Sequence, residues 1–176
     1  MRPRIPWFEM EWSFDTPASW WPLVLERLRH TPARCLAHLA RLPEEKLKQR
    51  PGDDKWSILE HVGHLATIEA LWLNRLDDFE SGAGELRAAD LTNEASWAAD
   101  FNSRPMLEVF KLQGASRQRL MQRLDAWGDT DRWELSAHHP RLDKPMRVID
   151  LAVFVADHDD YHLAQIDELK RGLAGG

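Results

Sequence analysis

Two histidines stand four residues apart in "FVADHDDYHLAQI", residues 154–166. On a helix, His158 and His162 project from one face, roughly 6 Å apart. Both imidazoles then reach one ion at the about 2.0–2.1 Å that zinc requires. Leu151, Val155, His158, His162, Ile166 and Leu169 follow one another at spacings of four, three, four, four and three. That stripe turns the pair inward, away from the solvated face. Buried imidazoles need partners, and an inward pair can share one ion in place of two separate hydrogen-bond partners. A third ligand must come from a facing helix, as bundle sites require. His64, on an apolar stripe of the second long helix, is the first candidate, and His61 one turn earlier is the second. The competing reading is a set of hydrogen-bonded core histidines.

Other chemistries fit less well. "HDDYH" echoes the H-E-x-x-H zinc-protease pattern, with Asp159 in the position of the general base. Aspartate is one methylene shorter than glutamate, and no substrate-binding sheet is evident, so this reading is set aside. Cys35 shares a helical stripe with Leu39 and Leu42 and reads as a core thiol. No G-x-S-x-G elbow, phosphate loop or dinucleotide fingerprint occurs. His30 and His38 read as peripheral, and His138-His139-Pro140 as part of a solvated connector.

The elements that position these residues are helical. Residues 19–42 form one apolar-periodic region interrupted at Thr31-Pro32. It is either one kinked helix or two, with Pro32 in a first turn. Ser57 and Glu60 form a capping box that starts a second helix, ending near Gly82 and Gly84. A loop with a short helix near Glu94 leads to a third helix over 104–126, capped by Asn102 or Ser103. A long connector precedes a fourth helix over 147–171. The fold class is all-α: a four-helix bundle over 17–172, with long connectors, an N-terminal arm over 1–16 and a disordered tail over 173–176. "WFEMEWSF" alternates with period two and reads as an extended segment within the arm. Long loops flanking the third helix allow a path other than simple up-and-down.

Composition narrows the partners. The 176 residues carry a net charge of −6, which argues against nucleic acid or an anionic membrane as a partner. No apolar run approaches the ~18–20 residues of a membrane span, and no secretory signal is evident. One cysteine fits a reducing, cytoplasmic location. Nine tryptophans supply large core or interface anchors, some of which a homodimer could use.

Two stretches carry a resemblance. "KWSILEHVGHLATIEALW" resembles the first signature of the DinB-like family, and "FVADHDDYHLAQIDEL" the second, in the same order and at a matching separation. The similarity spans about residues 18–171. The resemblance implies a four-helix bundle, often dimeric, with a divalent metal, commonly zinc or nickel, held by His64, His158 and His162. It also implies thiol-dependent S-transfer or metal-dependent hydrolysis. The N-terminal arm lies outside the common core of that family and is free to cover the site or to mediate association.

Three neutral imidazoles would leave a divalent ion with an open position, the arrangement of catalytic sites. Water or a low-molecular-weight thiol could be activated there. Glu69, Asp159 and Tyr161 are the candidate proton acceptors or orienting groups, with Asp157, Asp160 and Gln165 nearby in sequence. The reading is a metal-dependent transferase or hydrolase acting on a small molecule. Its alternatives are a non-catalytic metal- or ligand-binding stress-response module, and a purely structural bundle.

Overall fold

The computed structural model describes residues 5–40 and 42–174. The N-terminal arm opens with a 3-10 turn at Trp7–Glu9 and runs irregularly to a second at Ala18–Trp20. Among the arm's described residues no strand forms, because the polar backbone meets bundle side chains instead of a neighbouring strand. Lys144 Nζ donates to Trp12 O at 2.9 Å, and Arg147 Nη2 donates to Phe14 O at 3.3 Å and Thr16 O at 2.8 Å.

Helix α1 spans Trp21–Leu39 and passes through Pro32 without dividing. A short α2, Glu44–Leu47, follows. The expected second helix exists as two pieces, α3 (Ile58–Thr67) and α4 (Glu69–Glu80), meeting at Ile68. Its start is as expected: Ser57 Oγ accepts from Glu60 N–H at 3.1 Å, and Ser57 N–H donates to Glu60 Oε2 at 2.9 Å. Helix α5 covers Glu94–Ala98, and α6 covers Met106–Asp125. Neither Asn102 nor Ser103 caps α6; Pro105 precedes it without a side-chain cap.

The connector before the last helix holds an antiparallel hairpin that the sequence reading missed. Strand β1 (Ser136–His139) pairs with β2 (Lys144–Arg147), Ala137 opposite Met146 and His139 opposite Lys144. The outer edge of β1 is met by the segment after α4, where Leu86 N–H donates to His138 O and His138 N–H donates to Gly84 O, both at 2.9 Å. Pro145 falls on β2, the free edge of the pair, where a missing N–H costs nothing.

Helix α7 runs Val148–Ala174. Asp150 in its first turn accepts from Arg147 N–H at 3.0 Å and from Arg147 Nε at 2.8 Å. The tail expected from 173 is helical through Ala174, with Leu173 packed on the core; 175–176 lie outside the described residues.

Helix α1 packs chiefly against α6 and α7, as does the α3–α4 pair. The first and second long helices are therefore diagonal neighbours, and so are α6 and α7. The chain crosses the bundle between α1 and α3 and again between α6 and α7, so this is not an up-and-down bundle. The connector between the second and third helices makes no such crossing.

The apolar core falls into two clusters. One joins Leu28, Trp72, Leu124 and Phe154; the other joins Cys35, Leu59, Phe101 and Ile166. A polar node built on Arg117 of α6 ties all four long helices together. Arg117 is paired with Asp159 of α7 at 2.5 Å and with Glu69 of α4 at 2.5 Å, and donates to Leu28 O of α1 at 3.0 Å. Thr31 Oγ1 of α1 donates to Asp159 Oδ2 at 2.6 Å. Among the described residues, no helix is long and apolar enough to cross a membrane.

Candidate metal centre and its cavity

Helices α3 and α7 bring His64, His158 and His162 together, all buried, with ligand-capable nitrogens within 4.8 Å of one another. His158 Nε2 lies 3.4 Å from His64 Nε2 and 3.2 Å from His162 Nε2. Tetrahedral ligands at zinc distances are separated by about 3.3 Å. The opposite ring nitrogens are engaged for two of the three. His64 Nδ1 is 2.9 Å from Ser96 Oγ of α5, and His162 Nδ1 is 2.9 Å from His61 Nδ1. With protons on these Nδ1 atoms, the Nε2 lone pairs of His64 and His162 both face His158 Nε2, which can donate to only one of them. That convergence of lone pairs fits a cation. His158 Nδ1 is buried and makes no hydrogen bond to a described residue.

Burial keeps the imidazoles neutral. It pushes His64 down to about 3, with His61 adding to the effect, and holds His158 and His162 well below the usual histidine range. Neutral imidazole is the form that ligates metal. Trp56, next to the capping box, walls the group: its ring centroid lies 4.6 Å from that of His64 and 5.9 Å from that of His162.

The three histidines open onto a cavity of about 490 Å³. Trp7 of the arm forms part of its wall, with its ring 5.0 Å from His158 and 4.9 Å from Phe154. Tyr161 lines it too, its ring 5.5 Å from that of His162. Arg75, His139 and Arg141 form another polar part of the wall.

Glu69 and Asp159 are placed differently from Tyr161. Each is 1% exposed, in the Arg117 node, and neither lines the cavity. One guanidinium serves two carboxylates there. Burial pushes the Glu69 carboxyl up to about 7, against the pull of Arg117. Asp159 faces away from the histidines flanking it in sequence, so the zinc-protease role does not apply. Asp157 and Asp160 face Arg27 at 2.8 Å and 2.6 Å, outside the metal group. His61 lies behind His162 and is not among the three clustered ligands. Cys35 is a core thiol, pushed up to about 12 by burial.

Several site residues were not singled out from sequence. Ser96 and Arg75 carry no local signal, and Trp56 entered only as part of the first signature stretch, with no role at the site assigned to it. His139, read as part of a solvated loop, is buried because the hairpin folds it inward.

The family model of the DinB superfamily matches residues 27–166. The chain belongs to the DinB superfamily. YfiT from Bacillus subtilis is described as a probable metal-dependent hydrolase with an unusual four-helix bundle topology. Its structure superposes with a TM-score of 0.76 at 18% identity, over 94% of each chain. A mycothiol-dependent maleylpyruvate isomerase superposes with a TM-score of 0.65 at 11% identity, over 89% of this chain and 63% of that one. At these identities the likeness is one of fold. Among curated proteins, none matches this sequence.

Proposed function

We propose that this DinB-superfamily protein is a metal-dependent enzyme acting on a small molecule, with His64, His158 and His162 holding a divalent ion, zinc or nickel. The carrying observation is the convergence of three imidazole nitrogens on the wall of a cavity large enough for a substrate. When bound, such an ion supplies Lewis acidity, lowering the pKa of a coordinated thiol or water.

Thiol-dependent transfer fits the cavity better than hydrolysis. A coordinated water, with its pKa lowered only to about 7, is partly ionised at neutral pH and still gains from a side-chain base within reach. Among the described residues, Asp90 is the carboxylate lining the cavity, and its oxygens already accept from Thr92 N–H at 2.9 Å and Glu94 N–H at 2.7 Å. A thiol whose pKa has been lowered is itself the nucleophile and needs no such base. The two structural relatives are described as a probable metal-dependent hydrolase and as a mycothiol-dependent isomerase, so one carries hydrolysis and the other dependence on a low-molecular-weight thiol. In this reading Tyr161 presents its hydroxyl to charge developing on the substrate. Glu69 and Asp159 act at one remove, by fixing Arg117 and with it the spacing of α4, α6 and α7.

The test is a metal titration of stripped protein, then turnover. We expect one zinc or nickel per chain, abolished in His64→Ala. With metal bound, transfer between a low-molecular-weight thiol and an electrophile should outpace hydrolysis of esters and amides. Failure to bind either ion would overturn the proposal; stoichiometric metal without turnover would return the non-catalytic binding reading.

A further inference from the structure

We propose that the same cavity carries a second, cationic pole, built from Arg75, Arg141 and His139, that binds the carboxylate of a small organic acid. This deepens the metal-enzyme reading by naming a substrate class, but the contact itself does not depend on the metal.

Arg75 and Arg141 both line the cavity, and neither forms an ion pair with a described residue. For a guanidinium that is 1% exposed, as Arg75 is, this is unusual, since buried charges are ordinarily paired. Its Nε and Nη2 each donate to Arg87 O at 3.1 Å, and its Nη1 lies 3.1 Å from His139 Nε2. These contacts leave one N–H on each terminal nitrogen. Burial lowers Arg75 to about 10, against the pull of the Asp78 carboxylate, which is itself paired with Arg87, and with the charge of Arg141 adding to the lowering. Arg141 Nη2 is buried and has no hydrogen-bond partner among the described residues. The two guanidiniums therefore repel one another, and among the described residues neither is held in an ion pair.

His139 points the same way. Its Nδ1 faces the N–H of Leu142 at 3.3 Å, and its Nε2 faces Arg75 Nη1 at 3.1 Å. A neutral imidazole offers a lone pair on one nitrogen only, so one of these contacts sets donor against donor. An acceptor between His139, Arg75 and Arg141 resolves the conflict. A carboxylate offers two coplanar oxygens to a guanidinium fork and further lone pairs to an imidazole N–H.

The distance to the metal centre suits one molecule. The Trp72 ring lies 5.7 Å from the His158 ring and 5.5 Å from the Arg75 guanidinium carbon. Trp72, Ile68 and Phe154 make an apolar floor along that path. An acid whose carboxylate sits at the arginines therefore lays an apolar body of about one ring across Trp72, with its far end at the histidines.

The experiment uses the full chain, metal-stripped and zinc-loaded, titrated calorimetrically with 3-phenylpropionate, 3-phenylpropionamide and phenethyl phosphate. We expect the carboxylate to bind about tenfold or more tightly than the amide. That preference should vanish in Arg141→Gln, be partly kept in Arg141→Lys, and survive in His64→Ala. Arg141 is partly exposed, so both variants should keep the wild-type melting temperature. No binding of the carboxylate, equal binding of acid and amide, or a preference that persists in Arg141→Gln would overturn the proposal. Tighter, Arg141-dependent binding of the phosphate ester would overturn the carboxylate assignment. Loss of zinc binding with the acid preference intact would sink the metal reading alone.

Discussion

His61 and His162 meet ring to ring, Nδ1 to Nδ1, at 2.9 Å. One of the two must donate and the other accept, so the contact fixes a tautomer of each. If His162 donates, its Nε2 lone pair is directed at His64 and His158. In that tautomer the neighbouring imidazole would take the place that a carboxylate or carbonyl takes behind many metal-bound histidines.

Replacing His61 with alanine should weaken zinc affinity by about 10–100-fold while leaving one site per chain. His162→Ala should cost more. A competition titration against a chromophoric chelator measures both, and unchanged affinity in His61→Ala would show that the contact orients nothing.

The Arg117 node makes a stability prediction. Asp159→Ala leaves a buried guanidinium short of one of its two anions, at a cost of about 3–5 kcal/mol. Thr31→Val removes one buried hydrogen bond to Asp159 and should cost about 1–3 kcal/mol. Urea unfolding of the metal-free protein checks both. A stable, inactive Asp159→Ala would instead point to direct chemistry at that carboxylate.

Gly63 sits against Phe101, where an added Cβ would overlap the aromatic ring. Gly63→Ala should destabilise the protein by about 1–3 kcal/mol and, because His64 follows directly, weaken metal binding. Pairing it with Phe101→Leu should restore part of the loss, a coupling that a double-mutant cycle reads out.

Stability should fall in acid. Burial holds His64 at about 3 and His139 at about 4, against about 6.5 for an unfolded imidazole. Between those limits the unfolded chain binds more protons. Stability is therefore fully present above about pH 6.5 and is lost as the pH falls towards 4. Urea unfolding of the metal-free protein at pH 7.5, 6 and 5 should show a slope of roughly two protons or more; a flat profile would contradict it.

Tyr161→Phe removes a hydroxyl from the cavity wall without disturbing the packing of the ring. It should lower kcat about 100-fold with zinc affinity and melting temperature unchanged. Equal loss of metal binding would assign the residue a packing role instead.

The parts of this protein that repeat along a helix could be read from sequence. The inward stripe of α7 and the Ser57 capping box were visible in residue spacing, and both are present in the structure. So is the all-helical bundle. What escaped depends on contacts between distant residues. Arg117 looked like one arginine among many on α6, because only folding brings Thr31, Glu69 and Asp159 around it. The hairpin escaped because His138, His139 and Pro145 hide a four-residue strand pair with little apolar alternation. The break at Ile68 escaped because the apolar stripe continues across it.

All three histidines stand on bundle helices, whereas much of the cavity's remaining wall belongs to the N-terminal arm, the 85–93 connector and the hairpin turn. On the proposed function, the reactive end lies wholly on long helices, while most of the selective end, Trp72 and Arg75 of α4 apart, lies in connectors. Rewriting a handful of connector residues would give the bundle a different diet without asking any long helix to move. A laboratory selection for new substrates should accordingly accumulate its changes near Phe8, Leu91 and Arg141 before it touches the histidines.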